Sequence, residues 1–145
     1  MSEMSDYLED NLVEHIFRTN SWSKPSVLAL CLLTTNAIDA DSGTFSTGTG
    51  VEVTNANAYA REERNPLDAN WDIATGGGGQ TANTAAITFT QATGSWGTVA
   101  ATAITDNSTY DAGNLLFYST VTTPRAIDNG DTAEYAAGAI TVTFA

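Results

Sequence analysis

The hydrophobic period of this chain changes once, near Asn20, and that switch limits the folds open to it. Before it, Leu8, Leu12 and Ile16 recur every fourth residue, with Val13 and Phe17 widening the stripe and Tyr7 extending it. This predicts one amphipathic helix from Ser5 or Asp6 to Arg18. Asp6 is the candidate N-cap, with Glu9 three residues later. Acids in the early turns and His15 and Arg18 near the end suit the helix dipole. After Pro25 the chain turns to β-branched and small residues, in short apolar runs separated by Gly, Asn and Asp. Strands are predicted at 27–34, 50–53, 58–62, 71–74, 85–90, 98–105, 115–121, 132–135 and 139–144. Alternation is cleanest where Ile87 and Phe89 interleave with Thr88 and Thr90, and where Ile140, Val142 and Phe144 interleave with Thr141 and Thr143. Those threonine rows should face water or a neighbour. The expected fold is all-β, a jelly-roll-like antiparallel β-sandwich of about eight strands with one N-terminal α-helix. Residues 1–22 are expected to form a helical arm and 23–145 the sandwich, in a single domain overall.

At 145 residues, one domain buries roughly two-thirds of the surface its unfolded chain exposes. Much of the hydrophobic content is Ala, so a thin core of small side chains is expected, which a partner surface would help to stabilise. The formal charge of −12, from 17 acids against 5 bases, repels nucleic acid, whose phosphates need basic groups to displace their counterions. The longest apolar run falls well short of the roughly 20 residues of a membrane-spanning helix, so no membrane role is expected. The acidic start Met1-Ser2-Glu3-Met4-Ser5-Asp6 does not resemble a secretory signal, and assembly in the cytoplasm is expected. Cys31, within the apolar run 27–33, reads as a small buried hydrophobe.

Motifs for chemistry are incomplete. Gly76-Gly77-Gly78-Gly79 lacks the following Lys and Ser or Thr of a phosphate loop and leads to a strand where a dinucleotide fold needs a helix. Asp39-Ala40-Asp41-Ser42-Gly43 lacks the ligand spacing and terminal Glu of a calcium loop, which favours a solvated turn. Asp128-Asn129-Gly130-Asp131 reads as a hairpin turn, since both central residues tolerate positive φ. His15 has no second histidine for a zinc site or proton relay, and Gly94-Ser95-Trp96-Gly97 lacks the strand-to-helix context of a nucleophile elbow. Nothing selects a catalytic pair from the many carboxylates. A non-enzymatic protein without metal or cofactor is expected.

The segment Ala92-Thr93-Gly94-Ser95-Trp96-Gly97-Thr98-Val99 resembles a motif of small tailed-phage virion proteins. Similar matches occur at Ser5-Asp6-Tyr7-Leu8-Glu9-Asp10, Asn83-Thr84-Ala85-Ala86-Ile87-Thr88-Phe89 and Gly113-Asn114-Leu115-Leu116-Phe117-Tyr118, in order along nearly the whole chain. The chain departs from the group at 60–72, where Arg61-Glu62-Glu63-Arg64-Asn65-Pro66-Leu67-Asp68 lengthens the approach to Trp71. The resemblance implies a virion structural protein. Relatives are labelled tail fibre proteins, and others of similar size serve as capsid cement or decoration proteins.

The expected role is a capsid cement or decoration protein on the outer surface of the phage head, clamping neighbouring copies of the major capsid protein. The alternatives are a tail fibre, tail-tip or adaptor component, and a carbohydrate-binding module. A homo-oligomer, dimer or trimer, is expected. The candidate partner contacts are Tyr7, Leu8, Leu12, Ile16, Phe17 and Trp22, with Arg61 and Arg64 in the lengthened segment and the loop at 76–79 beside it. Each apolar candidate also reads as a core residue, and the two arginines as locally paired side chains. Trp96, between two glycines, reads as a plug at one end of the sandwich, with a sugar-stacking platform as the rival.

Overall fold

A computed structural model of the chain describes residues 3–35, 52–72 and 78–144. Its centre is strand β2 (Ala29–Leu33), in which all five residues are buried. An apolar run without a polar alternate suits a strand covered on both faces. Strand β6 (Gly97–Thr105) runs antiparallel beside it, pairing Ala29 with Thr105 and Leu33 with Ala101. The sheet is completed by β3 (Glu62–Glu63) on the other side of β2, then by β7 (Leu115–Ile127) beyond β6 and β1 (Glu3–Met4) beyond β7, in the order β1-β7-β6-β2-β3. Two small antiparallel sheets accompany it: β4 (Gln80–Ala82) with β9 (Thr141–Thr143), and β5 (Ile87–Thr88) with β8 (Glu134–Tyr135). The helix α1 (Asp6–Phe17) lies against β7. The architecture is thus a β-sandwich with one N-terminal helix.

The pleat sends alternate residues of β2 to opposite faces. Leu30 and Leu32 enter the main core with Val53, Tyr59, Phe89 and Trp96, while Cys31 and Leu33 join Ala101, Ala103, Leu115 and Tyr118 in a smaller cluster. The expected core of small side chains is thus found only in part: Cys31, Ala101 and Ala103 share the second cluster with Leu33, Leu115 and Tyr118, while aromatic rings and larger aliphatic side chains dominate the first. Tyr59 stacks on Phe89 at 6.3 Å and meets Trp96 edge-on at 5.3 Å. Ile87 and Phe89 are buried and Thr88 and Thr90 exposed, as their alternation predicts. Burial, with the nearby Glu52 charge adding to it, pushes the Cys31 thiol far above its ordinary range, consistent with a packing role.

Several local expectations change. The helix N-cap is Ser5, one residue before Asp6: its Oγ accepts from Leu8 N at 3.3 Å and donates to the Leu115 carbonyl, while its N–H donates to Leu116 O at 3.0 Å. Asp6 instead opens the first turn. No strand begins at Ala58, because Asn57 and Ala58 both take positive φ, and β3 starts only at Glu62. The predicted strands around Glu52 and Trp71 reduce, among the described residues, to single bridges with Leu33 and Asn83. The Asn129-Gly130 turn forms, with Asp131 N donating to Asp128 O at 3.0 Å, but it links β7 to β8, which lie in different sheets. Positive φ falls on Gly130 alone (+91°), which fits a type II turn better than the type I′ turn of a tight hairpin. Strand β7 continues past Val121 to Ile127 despite Pro124, because a register shift opposite residues 121–124 relieves that proline of a ladder bond. The turn at 39–43 and Gly76 and Gly77 lie outside the described residues.

Ser5→Ala removes a cap and a buried donor together. We expect a loss of about 1–2 kcal/mol in urea unfolding, with faster amide exchange at Leu8 and Glu9. Unchanged stability would mean that the Ser5 bonds hold nothing in place.

Candidate docking surface

Helix α1 is held at its start and free of the sheet at its end. Ser5 and Leu8 are buried, and β1 hydrogen-bonds to β7 through Glu3 opposite Tyr118 and Met4 opposite Phe117. Tyr7 and Leu12 are half-buried beside them. On the last two turns the exposure is high: Val13 at 53 %, Ile16 at 65 % and Phe17 at 78 %. These three occupy i, i+3 and i+4 and so share one face of the helix. Glu9 and Asp10 are exposed one turn earlier, and Glu14 pairs with Arg18 at 3.0 Å. Beyond the helix the chain bends back so that Trp22 N donates to His15 Nδ1 at 3.2 Å, leaving Trp22 half-buried.

The eight candidate contact residues therefore divide. Ile16 and Phe17 are open to a partner; Tyr7, Leu12 and Trp22 are partly so; Leu8 is spent on the fold. Arg61 is also inside, where its Nε and Nη2 grip Glu52 at 2.8 and 2.7 Å and its Nη1 donates to the carbonyls of Asn107 and Ala112, each at 2.8 Å, and to Thr105 Oγ1. Arg61 cannot serve as a surface contact because every face of its fork is used within the chain. Tyr59 O–H donates to the same carboxylate at 3.0 Å and accepts from Leu32 N at 3.0 Å. Burial, the largest single influence, would lower the Arg61 guanidinium, but its hydrogen bonds to Glu52 and the charge interactions around it together outweigh that and hold it above its ordinary value. Arg64 is half-exposed and tied to the carbonyls of Glu63 at 2.7 Å and Ala86 at 3.1 Å.

Trp96 is the expected plug. It is 5 % exposed, and its Nε1 donates to Asn57 O at 2.9 Å, so it offers no ring face to a sugar. Asn83 is a buried group that the sequence did not flag: its side chain donates to Ala85 O and Ala136 O and accepts from Ile140 N, joining the two small sheets. Its only sequence signal is an amide between Ala82 and Thr84 shortly before a strand, which also describes any surface turn.

A second apolar surface lies where the 60–72 segment meets the C-terminal strand. A cleft of about 350 Å³ is lined by Leu28, Leu67, Trp71, Phe117 and Phe144, and Leu67 and Phe144 are exposed at its rim. Among the described residues no group of His, Cys, Asp or Glu is arranged to hold a metal ion, and no helix is long and apolar enough to cross a membrane. What the described surface offers is contact: an apolar helix face with acidic neighbours, and an apolar cleft.

A family model described as Gp80, podophage GP4 fiber I protein gp80, matches residues 3–143. The match spans both the helix and the sandwich, and the chain belongs to this family of tailed-phage virion structural proteins. No curated protein matches the chain.

Proposed function

We propose that this member of the gp80 fibre-protein family is a non-catalytic docking subunit of the virion's fibre-bearing apparatus, a fibre or adaptor component that joins other virion proteins through non-covalent contacts. The observation that carries this is the match to a fibre protein over residues 3–143. The geometry suits it: a rigid sandwich holds a helix whose outer end presents Val13, Ile16 and Phe17. A set of symmetric copies would multiply contacts that are individually modest.

A second reading is a capsid cement protein on the outer head surface, clamping adjacent major capsid subunits. It is favoured by the presence of two separate apolar surfaces, the outer end of α1 and the cleft rimmed by Leu67 and Phe144, by which one copy would bridge two neighbours.

Copy number decides between them. Quantitative mass spectrometry of purified particles against the major capsid protein, with gold-labelled antibody in electron microscopy, should find a handful of copies per particle and label at the tail. A ratio near one with label over the head would overturn the fibre assignment in favour of cement; absence from the particle would overturn both.

A further inference from the structure

We propose that the outer end of α1 is a pre-ordered plug that seats in an apolar groove, rimmed by lysine and arginine, on a different virion protein. The proposal rests on the virion role above and specifies the partner's chemistry.

Three observations lead to it. Val13, Ile16 and Phe17 form an i, i+3, i+4 triplet on one helical face, the pattern by which an amphipathic helix fills a groove. Phe17 is both the largest and the most exposed of them, the type of residue that anchors an interface centre. The helix is also fixed in advance, because Ser5, Leu8 and β1 secure its first turns to β7, so little ordering entropy remains to be lost on docking.

Charge identifies the partner. The triplet is bordered by Glu9 and Asp10, both exposed, on a chain of net charge −12. A second copy would bring the same acids against these. The chain has 5 bases to answer them, and three are engaged: Arg18 by Glu14, Arg61 inside the core, and Arg64 by two backbone carbonyls. A groove with Lys or Arg on its rim matches the acids and admits the apolar triplet. Phosphate-bearing surfaces, nucleic acid or anionic lipid, would be repelled.

The test places the photo-crosslinking residue p-benzoylphenylalanine at position 17 of the full chain, incorporated into particles during infection and irradiated after purification. The expected product is a crosslink to a peptide of another virion protein whose apolar residues are flanked by Lys or Arg. It should disappear when Ile16→Asp is added. Crosslinking to a second copy of this chain, to the chain's own residues, or at no higher yield than from the same group at exposed Thr88, would overturn the proposal. In parallel, the reversal Asp10→Lys, which leaves the first-turn acids Asp6 and Glu9 in place, should cut particle occupancy severalfold while thermal unfolding of the isolated protein stays close to the parent's. Unchanged occupancy would remove the basic rim. Absence of the unmodified chain from particles would defeat the virion role itself, an outcome distinct from normal copy number with the crosslink elsewhere.

Discussion

Arg61→Leu is expected to destabilise the fold by about 3–5 kcal/mol, because it leaves a carboxylate enclosed without its partner. The two side chains are 0 % and 2 % exposed and meet in a bidentate fork, so water cannot replace the guanidinium. The loss should also reach the 106–114 loop. Arg61 Nη1 ties the Ala112 carbonyl to the sheet and shares the Asn107 carbonyl with Thr105 Oγ1, beside a turn in which Asp111 and Gly113 both take positive φ. Urea unfolding should report the stability loss, and amide exchange should show faster opening across that loop. Adding Glu52→Leu removes the stranded charge, and the double variant should regain at least about 1 kcal/mol, the remainder being the lost bond to the Ala112 carbonyl and the Tyr59 hydroxyl left without its acceptor. A single-variant loss under about 1 kcal/mol would instead be the signature of a solvated surface pair.

That pair also marks the limit of what could be read from the chain. The helix was legible because Leu8, Leu12 and Ile16 repeat at its period, and β2 and β6 because their apolar runs are long enough to name a strand. Arg61 was not, since an arginine followed by Glu62 and Glu63 has the composition of a solvated loop. Its actual partner, Glu52, is set opposite it by the bridge to Leu33, a tertiary fact. One weak signal existed: Tyr59 and Arg61 have the same parity, so an extended segment sends both to one side, and Tyr59 belongs inside. The N-cap failed for a similar reason. Ser5 and Asp6 are both good caps locally, and the choice is made by the carbonyls of Leu115 and Leu116, far away in sequence. Strand β1 carries no apolar pattern at all and is held by backbone pairing with β7. The docking face was half legible: the stripe was evident, but which end of it the sheet would cover depends on where β7 runs, leaving Phe17 outside and Leu8 within.

The second large effect concerns Trp96, for which Trp96→Ala should cost about 3–5 kcal/mol. The indole fills the end of the main core against Tyr59, and the chain is shaped around it. A side chain at Gly94 would come within 2.7 Å of the Asn57 amide, and Gly97 holds φ at +79°. Asn57 in turn donates to Ser95 O at 3.0 Å and offers its own carbonyl to both Trp96 Nε1 and Thr93 N. Truncation therefore empties a cavity and releases the 93–97 turn together. Trp96→Phe keeps much of the packing and leaves Asn57 O its bond from Thr93, so its cost should be smaller, about 1–2 kcal/mol. Urea unfolding of both variants gives the comparison. A ring serving as a sugar platform predicts the opposite pattern, with stability retained in Trp96→Ala and glycan binding lost. An alanine variant within about 1 kcal/mol of the parent would show that the tryptophan does not hold the sandwich end closed.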